Sequence, residues 1–177
     1  RAAGVDRITI SLDAVDGAGI ARMAGLRSGP EAGNALFARV LAGIDAARAA
    51  GFDPAQGGLK LNAVIQRGFN DDQLIPLARL ARQQRLQLRL IEYMDVGNRN
   101  GWCRDQVMPA QEMIQLLHRH WPLQPIGRPV AGTCRQWSYQ DGGGIVGTIA
   151  SISEPFCSDC NRLRITADGQ AFTCLFA

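Results

Sequence analysis

Cys157, Cys160 and Cys174 are spaced C-x2-C-x13-C, with an Asp168-Gly169 turn between the second and third cysteine. A C-x2-C hook can present two thiolates to one metal centre, and a chain that reverses at Asp168-Gly169 can return a third to the same place. Three thiols are one too few for a closed four-coordinate zinc site, and this segment offers no fourth ligand. His118 and His120 stand two apart on an expected helix, about 200° around its axis from each other, so they cannot both face one metal. Three cysteines with an open position suit a 4Fe–4S cluster whose fourth iron is free to bind something else. The plain alternative is three unpaired thiols in a hairpin. Cys103 and Cys134 fit no ligand spacing and read as ordinary thiols.

Arg162 and Arg164 follow the hook at i and i+2 of an expected strand, so both point to one face. Two adjacent guanidiniums repel unless an anion lies between them, and polyphosphate oxygens match their planar fork. A solvated strand face is the alternative. Lys60 is the only lysine; the other eighteen basic residues are arginine. Abundant Ala and Gly point to a GC-rich codon bias behind that excess. A lysine kept under such a bias marks either a place that needs a compact ammonium or an indifferent one.

Lys60 and Asn62 alternate in an otherwise apolar strand and share a face opposite Leu59, Leu61, Ala63 and Ile65. Arg89 interrupts the next strand in the same way. A charge in a buried parallel strand must be paired or hold a ligand. Glu92 is the expected structural partner for Lys60 or Arg89; the alternative is a barrel interior that holds charged ligands. Ser11 and Met94 stand at the ends of the first and third strands, where such folds place their chemistry. Taken alone, either fits an ordinary turn hydroxyl or core thioether.

The elements that must position these residues alternate. Val5 to Leu12 reads as a strand, and Asp13 and Asp16 offer caps for a helix through Met23. Gly25 to Gly33 reads as a loop, and Asn34 opens a helix that Gly51 stops. Leu59 to Gln66 is a strand, Asn70-Asp71-Asp72 caps a helix that tolerates Pro76 in its first turn, and Leu86 to Tyr93 is a third strand. Such alternation implies parallel strands joined by right-handed crossovers, and three strands do not close a barrel. Asp95 to Trp102 is a polar loop, and Pro109 opens a helix to Trp121. The Pro- and Gly-rich stretch from Pro122 to Gly132 shows no helical period. Arg135–Gln140 and Gly144–Ile152 read as one hairpin, and Leu163–Thr166 with Gln170–Leu175 as another. A boundary falls near residue 100.

Composition narrows the class. Hydrophobic residues are 46% and charged residues 20%, as in soluble globular chains. No apolar run nears the roughly 20 residues that cross a bilayer, and no secretory leader opens the sequence. Without an export signal, the five cysteines read as reduced thiols or ligands. A net charge of +3 is too small to imply nucleic acid. A chain opening on Arg1 is expected to lack its true start.

In matching order, Ile10-Ser11-Leu12-Asp13-Ala14, Lys60-Leu61-Asn62-Ala63-Val64-Ile65, Ile91 through Asn98 with Asn100-Gly101-Trp102, and Phe156 through Arg164 to Cys174-Leu175-Phe176-Ala177 resemble one family. It is that of the GTP 3′,8-cyclases of molybdenum cofactor biosynthesis, lyases among the radical S-adenosylmethionine (SAM) enzymes. The resemblance implies an α/β fold: a partial (incomplete) TIM-type barrel with a C-terminal α+β extension carrying a cluster-binding hairpin. Residues 1–100 would be the second part of the barrel and 101–177 the auxiliary-cluster and GTP-binding region. Cys157, Cys160 and Cys174 would hold a 4Fe–4S cluster whose open iron meets the guanine. Lys60, Arg162, Leu163 and Arg164 would contact GTP, and Ser11 and Met94 would contact SAM.

The family's C-x3-C-x2-C motif for a further 4Fe–4S cluster finds no match here, nor do its glycine-rich SAM segment and its di-glycine tail. Extra residues stand around Gly25 to Gly33 and Asp53 to Gly58. The expectation is an internal piece of a longer enzyme, inactive alone. In the parent, a deoxyadenosyl radical from SAM would take hydrogen from the ribose 3′ carbon of GTP, and the carbon radical would attack guanine C8. A homodimer in a bacterial-type cytoplasm, with no nucleic-acid or membrane partner, accompanies this reading. Two alternatives compete: a radical SAM peptide-modifying enzyme with an auxiliary cluster, and a non-enzymatic zinc-binding module.

Overall fold

The computed structural model describes residues 4–96, 101–130, 132–157, 160 and 162–174. The first strand is shorter than expected, β1 (Ile8–Ser11). Asp16 caps α1 (Gly17–Met23), its side chain accepting from the Gly19 N–H at 2.7 Å. The expected loop before Asn34 is partly helix, because α2 (Gly29–Ala49) starts on Gly29 with Pro30 in its first turn, where a missing N–H is no loss. β2 (Leu59–Ile65), α3 (Leu74–Gln83) and β3 (Gln87–Glu92) follow as expected, but Asp71–Gln73, read in part as a helix cap, forms a 3₁₀ turn.

After Pro109 comes α4 (Ala110–His120). The stretch beyond it is not irregular throughout, since Leu123–Gly127 forms β4. Pro125 is tolerated there because β4 is an edge strand, paired to β5 alone. β5 (Arg135–Tyr139) and β6 (Ile145–Ile149) form the expected hairpin; β7 (Arg164–Ile165) and β8 (Ala171–Phe172) form a shorter one than expected. The expected end of that hairpin at Leu175, and residues 97–100 of the polar loop, lie outside the described residues.

Six strands make one mixed sheet in the order β1-β2-β3-β6-β5-β4. β1, β2, β3 and β6 run parallel, and β5 and β4 are antiparallel additions. Among the described residues the sheet does not close into a barrel; β1 and β4 are its edges. Because β6 pairs with β3, residues on both sides of position 100 share this sheet.

The strands have two unlike faces. Leu59, Leu61, Ala63 and Ile65 of β2, Leu88 and Leu90 of β3 and Val146 of β6 are buried with Ile44, Leu74, Leu77, Met113 and Leu117 of the helices. That is the core. The opposite face carries the alternate residues, and register aligns Ser11, Asn62, Arg89 and Gly147 in one row across four strands.

Asn70 ties the ends of β1 and β2 together. Expected as a helix cap, it makes no such bond. Its fully buried side chain instead accepts from the Gln66 N–H at 2.8 Å and donates to the Asp13 and Val64 carbonyls, each at 2.9 Å. The Asp13 carboxylate accepts from the Val64 N–H at 2.8 Å. Burial pushes Asp13 above the usual aspartate value, partly opposed by that bond. Asn70→Leu leaves a donor and two carbonyls without their partner, so it is expected to destabilise the protein by about 3 kcal/mol, read as a shift in the urea midpoint.

Candidate functional site

One cavity of about 510 Å³ gathers most of the residues that the sequence singles out. Cys157, Cys160, Arg162, Arg164, Thr173 and Cys174 line it from the C-terminal segment; Asn62, Ile91, Met94 and Ile149 line it from the open face of the sheet, with Ser151 and Phe156 beside them. The β7–β8 hairpin brings Cys174 back towards the Cys157–Cys160 hook, with Arg164 pairing with Phe172. Ile91, Met94 and Ile149 lie at or just past the carboxyl ends of parallel strands, the usual place for chemistry in sheets of this type.

Several polar atoms in and near this cavity have no hydrogen-bond partner among the described residues. Arg164 Nη1 and Asn62 Oδ1 are buried in this way, and so are Arg89 Nε and Gln87 Nε2 on the open face. Orphaned buried donors and acceptors are costly, and a ligand bearing both acceptors and donors would relieve them. Arg162 is exposed. Its Nε donates to Cys160 Sγ at 3.4 Å, and its guanidinium carbon lies 5.2 Å from the centre of the Phe156 ring. Hydrogen bonds from Arg162, backbone first and then side chain, hold the Cys160 thiol below its ordinary value.

Lys60 does not line this cavity. It stands two residues before Asn62 on the same face, in register with Thr9 and Gln87. Burial, and then the Arg89 and Arg7 guanidiniums, lower its pKa from the usual lysine value. Cys134, near Arg89 and Lys60, is buried and pushed upward by desolvation, with those two cations opposing. A cluster of like charges on this face favours any anion placed beside it.

Ser11 is in register with Asn62, but it lines a separate recess of about 190 Å³ with residues of α1 and α2. Leu163 is 63% exposed and does not line the cavity. Glu92 is not the partner of Lys60 or Arg89. Strand alternation turns it to the helical face, where it accepts hydrogen bonds from the Ala110, Ile152 and Ser153 N–H groups and from Ser153 Oγ.

Among the described residues, no three His, Cys, Asp or Glu side chains converge as ligands of a single metal ion. Cys157, Cys160 and Cys174 instead border one common cavity. Thiolates that bind three different irons of a cubane stand apart by the width of the cluster and do not meet at a point. Three thiols bordering one cavity are the donor type that an iron–sulfur cluster takes. Asn62 and Phe156 were not among the expected contact residues. For Asn62 the signal was its position two residues from Lys60, and Phe156 precedes the hook directly. No helix among the described residues is long and apolar enough to cross a membrane.

The same segment is recognisable in other proteins. Residues 86–177 match the family described as Molybdenum Cofactor Synthesis C. A GTP 3′,8-cyclase of Synechococcus sp. (strain CC9605) is 67% identical over 177 residues, which are 100% of this chain and 51% of that protein. GTP 3′,8-cyclases of Acidothermus cellulolyticus and Xanthomonas axonopodis pv. citri are 47% and 44% identical, again over 100% of this chain and over 46% and 50% of their own lengths. The chain thus spans about half the length of the curated relatives it matches. Since the family's match takes in the strand that leads to Met94, the α4 region and the cysteine hairpin, the chain belongs to the Molybdenum Cofactor Synthesis C family.

Proposed function

We propose that the protein carrying this chain is a GTP 3′,8-cyclase, and that this chain supplies the nucleotide end of its active site. The observation that supports it most is that a single cavity is bordered both by three thiols and by two guanidiniums. Cys157, Cys160 and Cys174 would hold a 4Fe–4S cluster that leaves one iron open to a purine base. Arg162 and Arg164 would grip the triphosphate, with the Leu163 backbone between them and Lys60 adding charge from the sheet. Ser11 at the end of β1 and Met94 just past the end of β3 would contact SAM. In this reading residues 1–100 are the second part of an incomplete TIM-type barrel and the open face of the sheet is its interior. Residues 101–177 are the cluster- and GTP-binding region, and the protein works as a homodimer.

The chain's own residues orient and neutralise the substrate while bound cofactors supply the radical chemistry. Holding the base and the triphosphate by separate groups of one cavity would leave the ribose in a fixed pose. The test is turnover by the protein at full coding length, reconstituted anaerobically with iron and sulfide. GTP is expected to yield its 3′,8-cyclised product with matching deoxyadenosine, and the 177-residue chain alone is expected to form none. Cleavage of SAM with GTP left intact would point instead to another radical substrate.

A further inference from the structure

The Glu92 carboxylate is fully buried on the helical side of the sheet, away from the cavity. It accepts from the Ala110 N–H at 2.7 Å and from the Ile152 and Ser153 N–H groups at 2.8 Å each. Ser153 Oγ is a fourth donor. No cation is among the four. Three backbone donors aimed at one carboxylate can offset much of its desolvation, and one of them opens α4, where the helix dipole also favours negative charge.

These bonds tie two stretches of chain that border the cavity to each other and to the start of α4. Glu92 ends β3, two residues before Met94. Ala110 begins α4. Ile152 and Ser153 lie between Ser151 and Phe156, which both line the cavity, and Cys157 comes next. We infer that Glu92 is a positioning residue: its carboxylate fixes the turn that carries Phe156 and the cysteine hook against the strand end that carries Met94. Only a carboxylate suits the place. Four donors use both oxygens as acceptors, and a glutamine would turn its own N–H groups towards other donors.

The inference rests on the nucleotide reading above, and its readout is GTP affinity rather than turnover. Glu92→Gln, Glu92→Asp and Ser153→Ala are made in the protein at full coding length, loaded anaerobically. GTP dissociation constants are measured by equilibrium dialysis, well below each melting temperature. Glu92→Gln is expected to bind GTP about tenfold more weakly, the worth of one charge-assisted hydrogen bond. Glu92→Asp is expected to fall between it and the parent. Ser153→Ala, at an exposed residue, removes one donor and is expected to weaken binding about threefold while the protein stays folded at the assay temperature. A folded Glu92→Gln that melts lower but binds like the parent overturns the inference, since its role is then stability alone. Should Glu92→Gln not fold, Ser153→Ala decides: parental affinity overturns the inference, and weaker binding supports it. If the parent itself binds no GTP, the nucleotide reading falls and takes this inference with it, a result distinct from a binding parent with unaltered variants.

Discussion

Replacing Arg162 and Arg164 together with alanine is expected to weaken GTP binding by at least about 100-fold while leaving the affinity for guanosine nearly unchanged. Hydrogen bonds to charged groups contribute about 1.5–3 kcal/mol each, so losing two guanidinium contacts costs about 3 kcal/mol or more. Lysine at both positions keeps the charge but loses the bidentate fork, so it should recover only part of the affinity. The two arginines are not equivalent. Arg164 is the more enclosed, and its Nη1 is buried without a hydrogen-bond partner among the described residues. Arg162 is exposed and already engages Cys160 Sγ and the Phe156 ring. Arg164→Met should therefore lose more affinity than Arg162→Met, and the melting temperature of the unliganded protein should not fall. In the nucleotide reading, this buried donor would be held for the triphosphate at a cost to the empty fold. If the double alanine variant bound GTP like the parent, the paired guanidiniums would be surface charge and the assignment of the triphosphate to them would be wrong.

What the sequence reveals about this site follows from how local each feature is. The spacing of Cys157, Cys160 and Cys174 is written in adjacent residues, and so is the pairing of Arg162 with Arg164, because a hook and a short hairpin need no distant partners. The two-residue alternation likewise placed Lys60 and Asn62 opposite Leu59 and Leu61, as β2 shows. Long-range pairings were hidden. Glu92 was expected beside Lys60 or Arg89 because they are neighbours in composition, but the same alternation puts Arg89 and Glu92 on opposite faces of β3. Its true donors, Ile152 and Ser153, come from a turn sixty residues away along the chain. Asn70 looked like a cap because its helix is adjacent; the structure uses it between strands, through an Asp13 carbonyl that no local pattern could indicate. β4 was hidden for a different reason. Pro125 argues against a strand, and only an edge position, a property of the whole sheet, makes it acceptable.

Changing Cys157, Cys160 and Cys174 together to serine is expected to abolish cyclised product, by about 10³-fold or more, while SAM cleavage persists. No disulfide among the described residues involves these thiols, and Cys157 and Cys174 are exposed, so serine, close in size, disturbs little packing. A drop in activity with circular dichroism unchanged therefore reports loss of the cluster and not of the fold. Iron and acid-labile sulfide should fall together by one cubane's worth, and the absorption lost should lie near ~400 nm. A zinc module would behave otherwise, losing zinc with no sulfide. The magnitude follows from position: a nucleotide whose base is released from its anchor can still be held by its phosphates, but its ribose is no longer fixed. Misplacement by about 1 Å can cost roughly 10²-fold, and free rotation costs more. The arginine and cysteine variants thus separate two handles on one ligand. Guanosine should lose affinity in the serine variant and not in the arginine variant, and inorganic triphosphate should show the reverse. Equal losses of both ligands in both variants would mean that the cavity had collapsed in each, and that neither handle had been isolated.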